Sequence, residues 1–147
     1  MQRNDSKEKA DSFIQKFRDH GLKVTPQRTA IYHELLKAKD HPTIEVILKK
    51  VRTALPSISF DTVYRTVLSF ADYGIIQIVG GYGGSKRFDA DISQHHHFRC
   101  VRCEKIEDFR SDYFDNIKIP DEVKKQFNVS QKKVLLEGIC AECSKKK

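Results

Sequence analysis

Residues 60–89, FDTVYRTVLSFADYGIIQIVGGYGGSKRFD, carry the reading that decides the fold. Val63, Val67, Phe70 and Ala71 recur at helical spacing, so a helix from about Phe60 to Tyr73 turns them inward, and Gly74 stops it. Its other faces carry Asp61, Thr62, Tyr64, Arg65 and Ser69. Two short apolar runs follow, Ile75–Val79 and Lys86–Asp89, on either side of Gly80-Gly81-Tyr82-Gly83-Gly84-Ser85. Strand, glycine-rich tip and strand make a hairpin. A helix leading into such a hairpin is the end of a winged helix-turn-helix, and that helix is the one expected in the major groove of a duplex.

The residues upstream complete the pattern with three more helices. In Lys7–His20, Ala10, Phe13, Ile14 and Phe17 share one face, and Gly21 is a fitting stop. Thr25-Pro26 is a cap followed by proline at the first helical position, opening a helix that buries Ala30, Ile31, Leu35 and Leu36. The next starts near Pro42-Thr43 and aligns Ile44, Ile47, Leu48 and Val51; Pro56 closes that region.

Beyond Asp89 the pattern changes. His97–Val101 and Lys105–Phe109 are expected strands around a Cys-x-x-Cys turn. Helices are expected at Ser111–Ile119 and Asp121–Phe127, with Pro120 between them, then a long strand at Val129–Ile139 and a second Cys-x-x-Cys. The expected class is α+β: a winged helix-turn-helix domain at residues 1–88, a hinge at 89–94, and a small α/β metal-binding dimerisation domain at 95–147. A domain of that size needs a staple or a partner subunit.

Charge separates the halves as well. The 147 residues carry a formal net charge of +7. Residues 1–88 hold 15 Lys and Arg against 9 Asp and Glu, whereas residues 89–147 hold 12 against 11. A basic excess confined to the helical half suits a polyanion, with double-stranded DNA the first candidate. No apolar run approaches the roughly 20 residues of a membrane span, and the opening MQRNDSKEKADS lacks the apolar core of a secretory signal. The expectation is a soluble, cytoplasmic protein.

All four cysteines fall in two pairs, Cys100-x-x-Cys103 and Cys140-x-x-Cys143. Each pair supplies two corners of a tetrahedron, and four thiolates in a closed site suit structural zinc. The other readings are two disulfides, which a reducing cytosol disfavours, or two redox dithiols, which normally sit at a helix start.

His95, His96 and His97 precede the first cysteine pair. On a strand, His95 and His97 share a face and can hold one ion, while His96 points away. Asp89, after the wing strand, Asp108, on the next strand, and His41 are candidates to join them. Imidazole with carboxylate suits iron(II), manganese(II) or zinc. The alternative is a solvated histidine cluster.

Taken together, these pieces resemble the ferric uptake regulator (Fur) family, and within it the peroxide-sensing (PerR) branch. The residues that carry the resemblance are Thr25-Pro26-Gln27-Arg28, His41-Pro42-Thr43, Ser59-x-x-Thr62-Val63-Tyr64-Arg65 and Arg87-Phe88-Asp89. They continue with His95-x-His97, Cys100-x-x-Cys103, Asp108-Phe109 and Gly138-x-Cys140-x-x-Cys143. The resemblance implies a homodimeric, metal-activated repressor that binds a pseudo-palindromic operator. It implies structural zinc on Cys100, Cys103, Cys140 and Cys143. It also implies a regulatory iron(II) or manganese(II) on His41, Asp89, His95, His97 and Asp108.

Aspartate at positions 89 and 108, where iron-uptake regulators tend to have glutamate, points to the peroxide-sensing branch. There, bound iron promotes oxidation of a ligand histidine, matched here by His41 and His95, and the repressor leaves DNA. The neighbouring alternative is a metal-uptake repressor that answers only to reversible metal occupancy. Arg65 resembles the iron-uptake recognition helix more than that of some peroxide sensors.

For DNA, Tyr64 and Arg65 are the expected groove residues, with Ser59 and Thr62 as phosphate contacts or caps. Lys23, Arg28, Lys86 and Arg87 are expected to add backbone contacts. The competing role for Tyr64 is core packing. An enzyme is not expected: a zinc nucleobase deaminase needs His-x-Glu with Pro-Cys-x-x-Cys, which is absent, and four thiolates leave zinc no open position.

Overall fold

The computed structural model describes residues 14–80 and 85–146. The expected helical positions Ala10 and Phe13 and the hairpin tip at 81–84 lie outside the described residues. The chain divides into two compact units, Met1–Ile92 and Ser93–Lys147. No helix among the described residues is long and apolar enough to cross a membrane.

Among its described residues, the first unit contains four helices and two paired strands. Helix α1 covers residues 14–19. It is followed by α2 (Pro26–Lys37), α3 (Ile44–Val51) and α4 (Phe60–Asp72), then β1 (Gln77–Val79) paired antiparallel with β2 (Arg87–Asp89). Each helix from α2 onward opens on a hydroxyl cap: Thr25, Thr43 and Ser59 accept from the N–H groups of Arg28, Val46 and Thr62. Gly74, at φ +72°, turns the chain out of α4 toward β1. The core joins Phe17, Ile31, Tyr32, Leu35, Ile47 and Val51 to Val63, Val67, Phe70, Ile75 and Phe88. Leu36 is exposed rather than inward, because Ile31, Tyr32 and Leu35 already fill the buried stripe of α2.

The second unit contains a three-stranded sheet in the order β4-β3-β5, formed by β3 (His96–Cys100), β4 (Ile106–Phe109) and β5 (Leu135–Gly138). The β3·β4 pair is antiparallel and β3·β5 is parallel. Short helices α5 (Asp112–Asp115) and α6 (Asp121–Gln126) lie between β4 and β5, and α7 (Ala141–Lys145) follows.

Three elements of this unit differ from expectation. The strand expected at Val129–Ile139 shrinks to four residues, because side chains claim the backbone groups a ladder needs. The Val134 N–H donates to His96 Nδ1 at 3.1 Å. Gln94 Nε2 donates to the Lys132 carbonyl at 2.8 Å. The helix expected at Ser111–Ile119 ends at Asp115, where the backbone N–H and Nδ2 of Asn116 both donate to the Asp112 carbonyl, at 3.1 and 2.7 Å. Finally, the second Cys-x-x-Cys opens a helix, α7, which is absent from the expected elements.

Candidate functional site

The four cysteines converge. Their sulfurs all lie within 4.8 Å of one another, and Cys103 Sγ is 3.8 Å from Cys140 Sγ. A tetrahedral zinc with Zn–S bonds of about 2.3 Å sets its sulfurs about 3.8 Å apart, so the cage fits that ion. Cys100 ends β3, Glu104 takes the left-handed conformation at φ +63° as the chain turns back, and Cys140 caps α7. None is in a disulfide.

Backbone N–H groups at Cys103 and Cys140 point at the Cys100 sulfur and hold its pKa down to about 6. The Cys143 thiol is instead pushed up to about 12, first by its bond with the Cys140 sulfur and then by burial. A divalent ion bound by these sulfurs favours their thiolate forms.

A second set of donors lies on the sheet. His97 is directly opposite Asp108 across the antiparallel β3·β4 pair. His95 Nε2 and His97 Nε2 are 3.1 Å apart, and Asp108 Oδ1 lies 3.1 Å from the second and 3.6 Å from the first. Metal–ligand bonds of about 2.1 Å put adjacent octahedral ligands about 3.0 Å apart, so this triangle has the size of one face of an octahedron. His95 Nδ1 lies 2.7 Å from the Ser93 carbonyl, which can only accept. Nδ1 therefore carries a proton, which leaves Nε2 as the ring nitrogen that can serve a metal.

His41 and Asp89 meet within the first unit, with His41 Nε2 3.2 Å from Asp89 Oδ2. Asp89 is the last residue of β2 rather than following it, and its other oxygen accepts the Asp91 N–H at 2.9 Å. His41 is buried at φ +53°, unusual for a residue before proline. Arg87 helps to hold this bend. Its Nη1 donates to the carbonyls of Asp40 and His41 at 3.4 and 3.3 Å, while the Phe88 N–H donates to the Pro42 carbonyl. The guanidinium expected to contact a DNA backbone also ties the His41 loop.

His96 turns to the opposite side of β3, as alternation requires. It is wholly buried, with Nδ1 accepting from the Val134 N–H and Nε2 donating to Asp115 Oδ1 at 2.7 Å. Phe109 and Phe114 flank the ring. Its role as a tie between strand, α5 and loop leaves no sequence signal, because neither partner is near it in sequence.

On α4, Ser59 and Thr62 act on each other and on the helix start. Ser59 Oγ accepts the Thr62 N–H, and the two hydroxyls are 2.9 Å apart. Tyr64 is exposed, not packed in the core, and stacks on Phe60 with ring centroids 6.0 Å apart and planes at 13°. Arg65 Nε pairs with Asp61 Oδ2 at 3.0 Å. Neither Phe60 nor the pairing of Asp61 is among the expected site features, although the spacing of four is there to find.

A family model for the ferric uptake regulator family matches residues 19–138. The chain is 32% identical over 133 residues to the peroxide-responsive repressor PerR of Staphylococcus saprophyticus, covering 90% of each. Among solved structures, the fold is similar to the Helicobacter pylori ferric uptake regulator, with TM-score 0.75 and 23% identity, covering 93% of this chain and 92% of that one. It is also similar to PerR from Streptococcus pyogenes, a structure described as the basis for peroxide sensing and gene regulation. That match has TM-score 0.52 and 25% identity, covering 91% and 92%.

Proposed function

Because the chain belongs to the ferric uptake regulator family, we propose that it is a metal-dependent DNA-binding repressor, not an enzyme, that senses hydrogen peroxide. The observation that carries this reading is the triangle of His95, His97 and Asp108, two imidazoles and one carboxylate. Such a face leaves positions open and suits iron(II) among the oxygen-reactive ions. The four-cysteine cage, by contrast, is closed and suits structural zinc.

His41 and Asp89 complete the proposed regulatory ligand set. The first unit supplies these two donors and the second supplies three. An ion that takes all five favours the arrangement of the two units in which they meet, and its loss releases that arrangement. In a homodimer, that choice sets the spacing of two α4 helices and hence the fit to a pseudo-palindromic operator. The second unit is the proposed dimerisation domain, consistent with its exposed Val129, Leu135, Leu136 and Ile139.

Bound iron(II) supplies the reactivity toward peroxide, and His41 and His95 are the proposed targets. One peroxide oxygen is added to the imidazole and the other leaves as water. An oxidised ring is a poorer donor, so the metal tie is lost and the operator is released. Manganese(II) in the same ligands supports repression without oxidation.

Peptide mass mapping of the zinc-loaded protein after mild peroxide tests the reading. A gain of one oxygen on the His41 or His95 peptide is expected with iron(II) and not with manganese(II). Iron-bound, DNA-binding protein with no oxygen gain would favour a metal-uptake repressor responding to reversible occupancy. Asp89→Ala is expected to abolish metal-dependent DNA binding while leaving zinc and dimer in place. Retained metal dependence in that variant would refute the ligand set.

A further inference from the structure

Helix α4 presents two side-chain pairs, each four residues apart and therefore each on one stripe of the helix. Phe60 stacks on Tyr64, and Asp61 holds Arg65. The pairs are adjacent, so apolar and charged surfaces lie side by side at the start of the helix. Neither pair belongs to the buried core of the first unit. The inward residues of α4 are Val63, Val67 and Phe70, whereas Phe60 and Tyr64 are 45% and 36% exposed. The Asp61 and Arg65 side chains are 66% and 79% exposed, where an ion pair contributes little to folding.

The geometry points to a reading head: we propose that Phe60 and Asp61 are specificity-determining residues for duplex DNA, selecting a guanine beside a thymine in the major groove. The proposal rests on the repressor reading above and adds what α4 recognises. The basic excess of residues 1–88 supplies the complementarity to a polyanion. A helix of 13 residues is about 20 Å long, enough to lie along a groove about 12 Å wide.

Asp61 acts on Arg65 through one atom. Its Oδ2 engages Nε, on the side of the guanidinium, and leaves the two Nη groups of this 79% exposed side chain available to another acceptor. Those two nitrogens match the O6 and N7 acceptors of guanine. A long arginine side chain loses rotamer freedom on binding, and a partner that fixes it beforehand lowers that cost. Asp61 is thus a positioning residue. The competing account is that Asp61 only complements the helix dipole from the first turn. That account predicts no change in base preference when Asp61 is replaced.

Phe60 contributes a flat apolar surface beside this donor edge. Stacked against Tyr64, its ring lies nearly parallel to the phenol and is 45% exposed. The group in the major groove that such a surface recognises is the C5-methyl of thymine. Uracil, which lacks only that methyl, is the direct probe.

The test uses the full-length protein loaded with zinc and manganese(II) and a library of random 40-base-pair duplexes. The wild type, Phe60→Ala and Asp61→Ala are each used for selection, with thermal melting to confirm folding. The best wild-type duplex is then remade with uracil for single thymines and with 7-deazaguanine for single guanines. The wild type is expected to enrich a guanine next to a thymine and to weaken several-fold with uracil at that thymine. Phe60→Ala should be indifferent to that change. Asp61→Ala should lose about tenfold in its preference for guanine over adenine while still binding duplexes at low salt.

A folded Phe60→Ala protein with undiminished sensitivity to uracil would overturn the role of Phe60. An Asp61→Ala protein with unchanged guanine preference would overturn the positioning role and leave the dipole account. If the wild type enriches no sequence, both this assignment and the repressor reading fall.

Discussion

The two units reach order by different means. In the first, helices α1 to α4 and the hairpin surround a continuous apolar core in which Phe17, Tyr32 and Phe70 touch ring to ring. In the second, the buried apolar side chains among the described residues are Cys100, Ile106, Cys140 and Cys143. Helices α5 and α6 contain no fully buried residue, and Phe127 and Tyr113 stand 62% and 78% exposed. Hydrophobic burial is thus enough to explain the first unit. The second unit rests on sulfur, imidazole and hydrogen bonds. A small domain built this way depends on its ion and on whatever covers its apolar surface.

The largest effect should come from removing zinc. Chelation, or Cys143→Ser, is expected to abolish amide-exchange protection in β3 and β5 while α2 to α4 stay protected. Persistence of protection in β3 after zinc loss would break the contrast between the units. The pKa values add a direction in pH. Cys100 already titrates near 6, but the Cys143 proton, with a pKa of about 12, must leave when zinc binds. Zinc affinity should therefore rise with pH, by at least about tenfold between pH 7 and 8 for that one proton. Competition against a chelator whose own pH dependence is known would measure it.

Next comes the core of the first unit. Phe70 has no exposed surface and packs against Phe17 and Tyr32. Phe70→Ala should cost about 3–5 kcal/mol by lost burial and the cavity left behind. The loss should appear as a lowered denaturant midpoint of the helical unit, with zinc content unchanged. Coupled loss of zinc would mean the units do not stand independently.

A smaller cost is expected at the polar tie of the second unit. Asp115→Ala leaves the His96 Nε2–H buried without its acceptor, at a cost of about 1–3 kcal/mol. The denaturant midpoint of the zinc-loaded second unit should fall while that of the first stays put. An unchanged midpoint would show that zinc alone sustains this unit.

What can be seen in the sequence follows the same division. Periodicity exposes α2, α3 and α4 because their burial repeats locally, with Thr25, Thr43 and Ser59 marking the starts. The cysteine pairs are legible from spacing, and the facing of His95 and His97 from strand alternation. The strand expected at Val129–Ile139 shortens to Leu135–Gly138 because Val134 and Lys132 give backbone groups to His96 and Gln94. Contacts between residues this far apart in the chain leave no local trace. The same holds for the bonds from Arg87 to the carbonyls of Asp40 and His41, 47 and 46 residues away in the chain.

The smallest effect separates two roles for one hydroxyl in the first unit. Ser59 Oγ accepts the Thr62 N–H at 3.1 Å and so caps the helix that bears Tyr64 and Arg65. Ser59→Ala should lower the stability of the helical unit by about 1 kcal/mol, the usual cost of losing a cap. At temperatures where both proteins are fully folded, a cap alone predicts equal affinity for the selected duplex. A phosphate contact predicts weaker binding to every sequence alike. Ser59→Asp sharpens the choice, since aspartate caps as well as serine but repels phosphate. Restored stability with weakened binding would place the hydroxyl at the DNA backbone, and restored stability with unchanged binding would leave it as a cap.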